Sequence, residues 1–246
     1  MANLEVLMRT DLKMRTGKMV AQSGHAGMRV VTSRLRKRGS VFSISAGDEA
    51  LLRQFVESPE VRVSLVFGQN DLTEGTADGR DFHLIIDNGA TEFAGVRTMT
   101  CGASGIFPKC QDPEDISVAD TGVIPPVRQF FILSREGDAS KAVAMEMAVI
   151  GCVTELHKLV EHDVDSGDFF IDPTREDHAF GDWILNGYPK IGLQVPTHGD
   201  LDRLKTSLSS AGITSTIVER GACKMLVTTP SAVSKISPVT STLKLM

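Results

Sequence analysis

Lys18, Gln22 and His25 stand at positions i, i+4 and i+7, so on a helix all three project from one face. An ammonium, an amide and a titratable imidazole gathered there can hold a phosphate and move a proton near neutral pH. A second group lies far along the chain, where Asp87 and Thr91 bracket Asn88-Gly89. That dipeptide favours a tight turn and brings a carboxylate and a hydroxyl to one rim at the end of a strand. Thr98 and Thr100 follow close by. Each signal alone also describes a polar helix face or a turn former; their joint presence is the stronger observation.

The elements that must position these residues follow from periodicity and breakers. Residues 4–9 read as a strand and 10–17 as a polar loop. From 18 to about 38 the small and apolar residues Val20, Ala21, Gly24, Gly27, Val30, Val31 and Leu35 recur at spacings of three and four. That pattern predicts a helix with one buried stripe, ended by Gly39. Strands are predicted at 41–45 and 61–67 with a helix at 48–57 between them. The Gly- and acid-rich run 68–80 reads as a surface excursion, 82–86 as a strand entering the Asp87-Asn88-Gly89 turn, and 97–103 as a further strand.

After Pro125-Pro126 the order repeats. Residues 129–133 form a strand, 141–160 a helix, 161–182 an acidic, Gly-rich excursion, 190–195 a strand, 200–211 a helix, and 214–218 and 225–229 strands. Ile86-Asp87-Asn88-Gly89-Ala90-Thr91 sits against Val218-Glu219-Arg220-Gly221-Ala222-Cys223. With the boundary at about 127, the sequence predicts two tandem copies of one α/β domain, 1–127 and 128–246, packed as an intramolecular pseudo-dimer in a monomeric chain. Aligning Lys141 with Lys18 sets Met145 against Gln22 and Ala148 against His25, while Glu219 meets Asp87 and Cys223 meets Thr91. Methionine lacks the amide's hydrogen bonds and alanine cannot titrate, so the second copy is expected to be degenerate.

Composition excludes several classes. With 41% hydrophobic and 23% charged residues, the chain is made like an ordinary soluble globular protein. The net charge of −5 opposes broad affinity for nucleic acid. The average hides an asymmetry, since Arg9, Lys13, Arg15, Lys18, Arg29, Arg34, Arg36, Lys37 and Arg38 face only Glu5 and Asp11 in the first forty residues. No basic start leads into an apolar core of a signal segment, and no run of 18 apolar residues occurs, which predicts an intracellular chain with no membrane anchor. Four scattered cysteines without a C-x-x-C pair predict free thiols. His157, His162, Asp163, Asp165 and Asp168 invite a metal reading, but the glycine is misplaced for a calcium loop and the closing glutamate is missing. A solvated loop, with no metal and no cofactor, is the expectation.

The strings Arg9-Thr10-Asp11-Leu12-Lys13-Met14, Gly17-Lys18-Met19-Val20-Ala21-Gln22 and His25-Ala26 closely resemble the N-terminal signature of the type II peptidyl-tRNA hydrolases. Asp87-Asn88-Gly89-Ala90-Thr91-Glu92-Phe93, followed by Thr98 and Thr100, resembles the same family's second signature, and Val239-Thr240-Ser241-Thr242-Leu243-Lys244-Leu245 resembles its C-terminus. The resemblance implies a mixed four-stranded sheet flanked by helices in each copy. It also implies metal-independent hydrolysis of the ester between tRNA and a peptide or N-blocked aminoacyl group, a task of translation quality control in the cytoplasm, with mitochondrial association left open. Carried over, the site comprises Lys18, Gln22, His25, Asp87, Thr91 and Thr98, with Asp11 near the entrance. Ester hydrolysis needs an activated water, donors for the developing oxyanion and anchors for RNA. Asp87, alone or with His25, is expected to activate the water, Lys18 and Thr91 to stabilise charge, and Gln22 to orient the substrate. Lys13, Arg15, Arg34, Arg36, Lys37 and Arg38 are expected to engage phosphates. Departures from the family pattern at Arg15-Thr16, at Gly24 and in the 68–80 run bear on substrate access. The alternatives are a non-catalytic RNA- or protein-binding module of the same fold, and a hydrolase of another acyl-tRNA such as D-aminoacyl-tRNA.

Overall fold

The computed structural model describes residues 3–74, 81–89, 91–110, 126–175, 179–185 and 187–246. β1 (Asn3–Arg9) alternates buried Leu4, Val6 and Met8 with residues of an outer face, the period of a strand with one face covered. α1 (Thr16–Thr32) is buried on nearly every side, so it is a central helix and not the one-striped surface helix that its periodicity predicts. It also stops at Thr32, short of the expected Arg38. The hydroxyls of Thr32 and Ser33 donate to the carbonyls of Arg29 and Val30, competing with helix continuation. β2 (Arg36–Arg38) then turns through Gly39, at φ +61°, into β3 (Val41–Ile44).

α2 (Ala46–Glu57) starts on Ser45, whose hydroxyl accepts from the Asp48 N–H at 3.1 Å. β4 (Glu60–Val66), α3 (Gln69–Glu74), β5 (Phe82–Asp87) and β6 (Thr98–Gly105) complete this part. The predicted 68–80 excursion thus contains a short helix, and its residues 75–80 fall outside the described residues. The sheet is mixed and four-stranded, in the order β4-β1-β6-β5, with β1 and β4 parallel and the other pairs antiparallel.

Beyond residue 126 come β7 (Val127–Ser134), α4 (Lys141–His157), β8 (Glu161–His162), β9 (Phe169–Ile171), α5 (Phe180–Leu185) and β10 (Lys190–Val195). α6 (His198–Ser210), held by a Thr197–Asp200 capping box, leads to β11 (Ser215–Arg220), β12 (Cys223–Thr228), β13 (Ser231–Ala232), α7 (Val233–Thr240) and β14 (Lys244–Leu245). The second sheet runs β11-β12-β7-β10-β14, with β13 also on β7. Its β10-β7-β12-β11 part has the strand order and strand senses of the first sheet; β13 and β14 exceed the expected four strands.

The two parts are knit together. β3 pairs with β9, making a third sheet, β2-β3-β9-β8, from both sides of residue 127. α1 packs on α4 and reaches β10, while α4 reaches β4. A methyl group on Gly27 would lie 3.0 Å from Val149, and one on Gly24 would lie 2.6 Å from the Phe131 ring. The larger apolar core accordingly joins Val6, Val20 and Leu52 to Phe131, Met145 and Trp183. A smaller one lies under α6 on the other face of the second sheet, around Ile132, Leu201 and Leu226.

In the 161–182 run residues 162–168 are exposed, as predicted, whereas part of the later stretch is buried. Asp163 closes a tight turn through the Asp165 N–H and the Ser166 hydroxyl. Ile171 and Phe180 are fully buried, because the apolar residues of this run pair with β3 and enter the shared core. His157 lies 3.3 Å from Glu49 on α2, and no group of three metal-ligating side chains occurs among the described residues. All four cysteines are free, and burial pushes Cys152 up to about 11.

Candidate active site

The first turns of α1 face the ends of β5 and β6. Lys18 donates to Asp87 and, at 3.0 Å, to the Thr91 hydroxyl. Gln22 Nε2 donates to the same Asp87 oxygen at 2.7 Å. The other carboxylate oxygen accepts from the Gly89 N–H at 2.8 Å, an Asx turn built by the Asn88-Gly89 step. Gly89 has φ +81°, and a side chain there would strike the Val96 backbone at 2.6 Å, so only glycine fits.

A β-bulge supplies the remaining contact. Ile85 pairs with Cys101 but Ile86 pairs with Met99, so Thr100 drops out of the ladder. Its buried hydroxyl donates to Gln22 Oε1 at 2.9 Å, which fixes which end of the amide points at Asp87. The Cys101 thiol, pushed up to about 12 by burial, donates to the Gln22 carbonyl at 3.4 Å. Thr98, the threonine expected in the site, is instead turned to the Val96 carbonyl at 3.0 Å. Sequence spacing alone does not separate the two threonines, because the bulge that reassigns them is a property of the ladder.

His25 lies one turn beyond Gln22, partly buried, with its ring 5.3 Å from that of Tyr188. Burial, aided by the charges of Lys190 and Lys18, holds its imidazole well below the ordinary histidine range. Tyr188, Lys190 and Trp183 belong to the second half and carried no signal in the sequence. Asp11 is clamped by Arg9, with the Nε–Oδ1 contact at 3.0 Å, and the Arg9 guanidinium holds its carboxyl below the usual carboxylate range. Arg9 also donates to the Met99 carbonyl at 2.8 Å, tying this ion pair to β6. Arg15 bridges to Glu92 at 2.8 Å, and Lys13 is exposed at φ +51°. Phe93 lies 5.7 Å from the Lys18 ammonium.

The basic cluster divides. Arg34 is buried beside Asp81 at 3.0 Å and over the Phe107 ring at 5.2 Å, and Arg36 donates to the Ser33 carbonyl at 3.2 Å and to Cys110. Lys37 and Arg38 remain exposed on β2, beyond the end of the helix that carries Lys18.

A mixed sheet whose strand ends carry a carboxylate held by a lysine, an amide and a turn N–H defines an α/β protein with a polar cluster at those ends. Residues 3–112 match the family model of peptidyl-tRNA hydrolase PTH2. No curated protein matches the chain. No helix among the described residues is long and apolar enough to cross a membrane.

Proposed function

We propose that the chain hydrolyses the ester joining a peptide, or an N-blocked aminoacyl group, to tRNA in the cytoplasm, with the site in its first half and no metal or cofactor. The observation that carries this reading is the convergence of Lys18, Gln22 and Thr91 with Thr100 around Asp87, within the segment that the family model matches. A water oxygen attacks the ester carbonyl carbon, and the bond from that carbon to the ribose oxygen breaks. Asp87, alone or with His25, takes one proton from the water and passes it to the ribose oxygen, which leaves as a hydroxyl, while the water's second proton is released to solvent as the new acid ionises. Lys18 and Thr91 stabilise the charge that develops, and Gln22 orients the substrate. The products are a free carboxylate and tRNA. Lys13, Arg15, Lys37 and Arg38 are the exposed cations left to meet phosphates.

The second half is, in this reading, a degenerate copy that stands where a second subunit would, with the boundary near 127. The shared strand order of the two sheets supports it. So does the loss of the carboxylate: β5 ends on Asp87, paired with Thr98, whereas β11 ends on Arg220, paired with Cys223. That is one residue past Glu219, and a cation there cannot act as the base.

Purified protein should release N-acetylaminoacyl groups from tRNA and leave unblocked aminoacyl-tRNA largely intact. Release from D-aminoacyl-tRNA instead would move the assignment to a related esterase. Binding of tRNA with no release from any substrate would make the chain a binding module. Within an active enzyme, Thr100→Val should lower kcat/KM about tenfold, the equivalent of roughly 1.4 kcal/mol, because the buried Gln22 carbonyl loses its donor. An unchanged kcat/KM would detach the bulge from catalysis.

A further inference from the structure

Lys190 opens β10 in the second half, yet its side chain runs to the first-half site. A methyl group on Gly24, the residue before His25, would lie 3.1 Å from Lys190 Cδ. The ammonium sits 4.3 Å from the Trp183 ring and 4.9 Å from the Tyr188 ring, and donates to the Tyr188 carbonyl at 3.1 Å. Two aromatic faces hold a cation in place where bulk water does not screen it. The cage is itself built with care. Trp183 is buried and donates from its indole to the Pro189 carbonyl at 3.1 Å. Tyr188 adopts φ +38°, which is costly for a bulky residue, and is held there by its N–H on the Trp183 carbonyl at 2.8 Å. The same Tyr188 ring that faces the ammonium contacts the His25 imidazole.

We propose that Lys190 is a positioning residue of the candidate site: its caged ammonium keeps the His25 ring uncharged, so that the ring stays available to accept a proton during ester cleavage. The inference rests on the hydrolase reading for the use made of His25, but the pairing of the two residues does not.

The charges around the ring all favour that state. Lys18 comes from the same helix, Lys190 from β10, and Tyr188 from the segment before it, while α4 presents Cys152 toward Lys190 as a thiol. Asp87 is occupied by Lys18 and Gln22. Burial pushes Lys190 down to about 8, so it remains charged across the acidic range in which a histidine ordinarily titrates. A base acts in its deprotonated form, hence activity dependent on His25 is lost as pH falls through the imidazole's own titration. Removing the Lys190 charge raises that titration and brings the loss to higher pH.

The test is a proton NMR titration of the six histidines in the full chain, with His25 assigned through His25→Gln, for wild type, Lys190→Met and Lys190→Arg. The His25 signal should titrate at higher pH in Lys190→Met and stay low in Lys190→Arg. In parallel, the rate at pH 6 relative to pH 8 should stay level while the titration lies below pH 6 and fall by up to about tenfold for each unit that it rises above pH 6. An unmoved His25 titration in a folded Lys190→Met protein, or the same upward shift in Lys190→Arg, would overturn the proposal. Failure of the hydrolase reading looks different: the titration moves as stated while no variant, nor wild type, releases product.

Discussion

Asp87→Ala is expected to lower turnover of N-acetylaminoacyl-tRNA by about 10²–10⁴-fold, the range for loss of a general base, while tRNA affinity stays within about twofold. The side chain is the common acceptor of Lys18, Gln22 and the Gly89 N–H, so its removal takes the proton acceptor and frees the groups that it holds. Asp87→Asn separates the two effects. The amide keeps the volume and part of the hydrogen bonding but cannot take a proton, and it should fall nearly as far as alanine. Single-turnover kinetics beside a filter-binding isotherm will decide. Turnover within a few-fold of wild type in either variant would remove Asp87 from the chemistry, and a parallel loss of binding would make it an anchor for substrate.

Phe131→Ala is expected to destabilise the fold by about 3–5 kcal/mol, the usual cost of emptying a fully buried aromatic site, against a total of roughly 5–15 kcal/mol for a typical protein. Phe131 lies on β7 and is fully buried, and its ring is the surface on which Gly24 of α1 rests. The urea midpoint should drop with little change in slope. Activity should fall at temperatures where the variant is still folded, because α1 carries Lys18, Gln22 and His25. A shift below about 1 kcal/mol would mean that the second sheet does not support the first helix.

The parts of the site that were legible in the sequence are local. Lys18, Gln22 and His25 are set by helical spacing, and Asp87 and Thr91 by a turn whose residues allow few other conformations. Thr100 was visible but not distinguishable from Thr98, since a bulge depends on how two strands are registered. The sequence extends α1 past its true end because Arg36, Lys37 and Arg38 satisfy helical preferences; what holds them extended is pairing with β3. The burial of Ile171 depends on β3, far away in sequence. Lys190 and Tyr188 left no trace at all, because a contact spanning most of the chain has no periodicity to announce it.

The pairing of β3 with β9 has a consequence for synthesis. Every residue of the proposed hydrolytic group lies within the first hundred or so positions, yet α1 is covered only when α4, Phe131 and β10 are present. At about 5–20 residues per second, the ribosome needs roughly 5–20 s to make the stretch from β6 through β10. During that interval the nascent first half holds its central helix without the surface that buries it, and the site is completed late in translation, after its own residues have long left the ribosome.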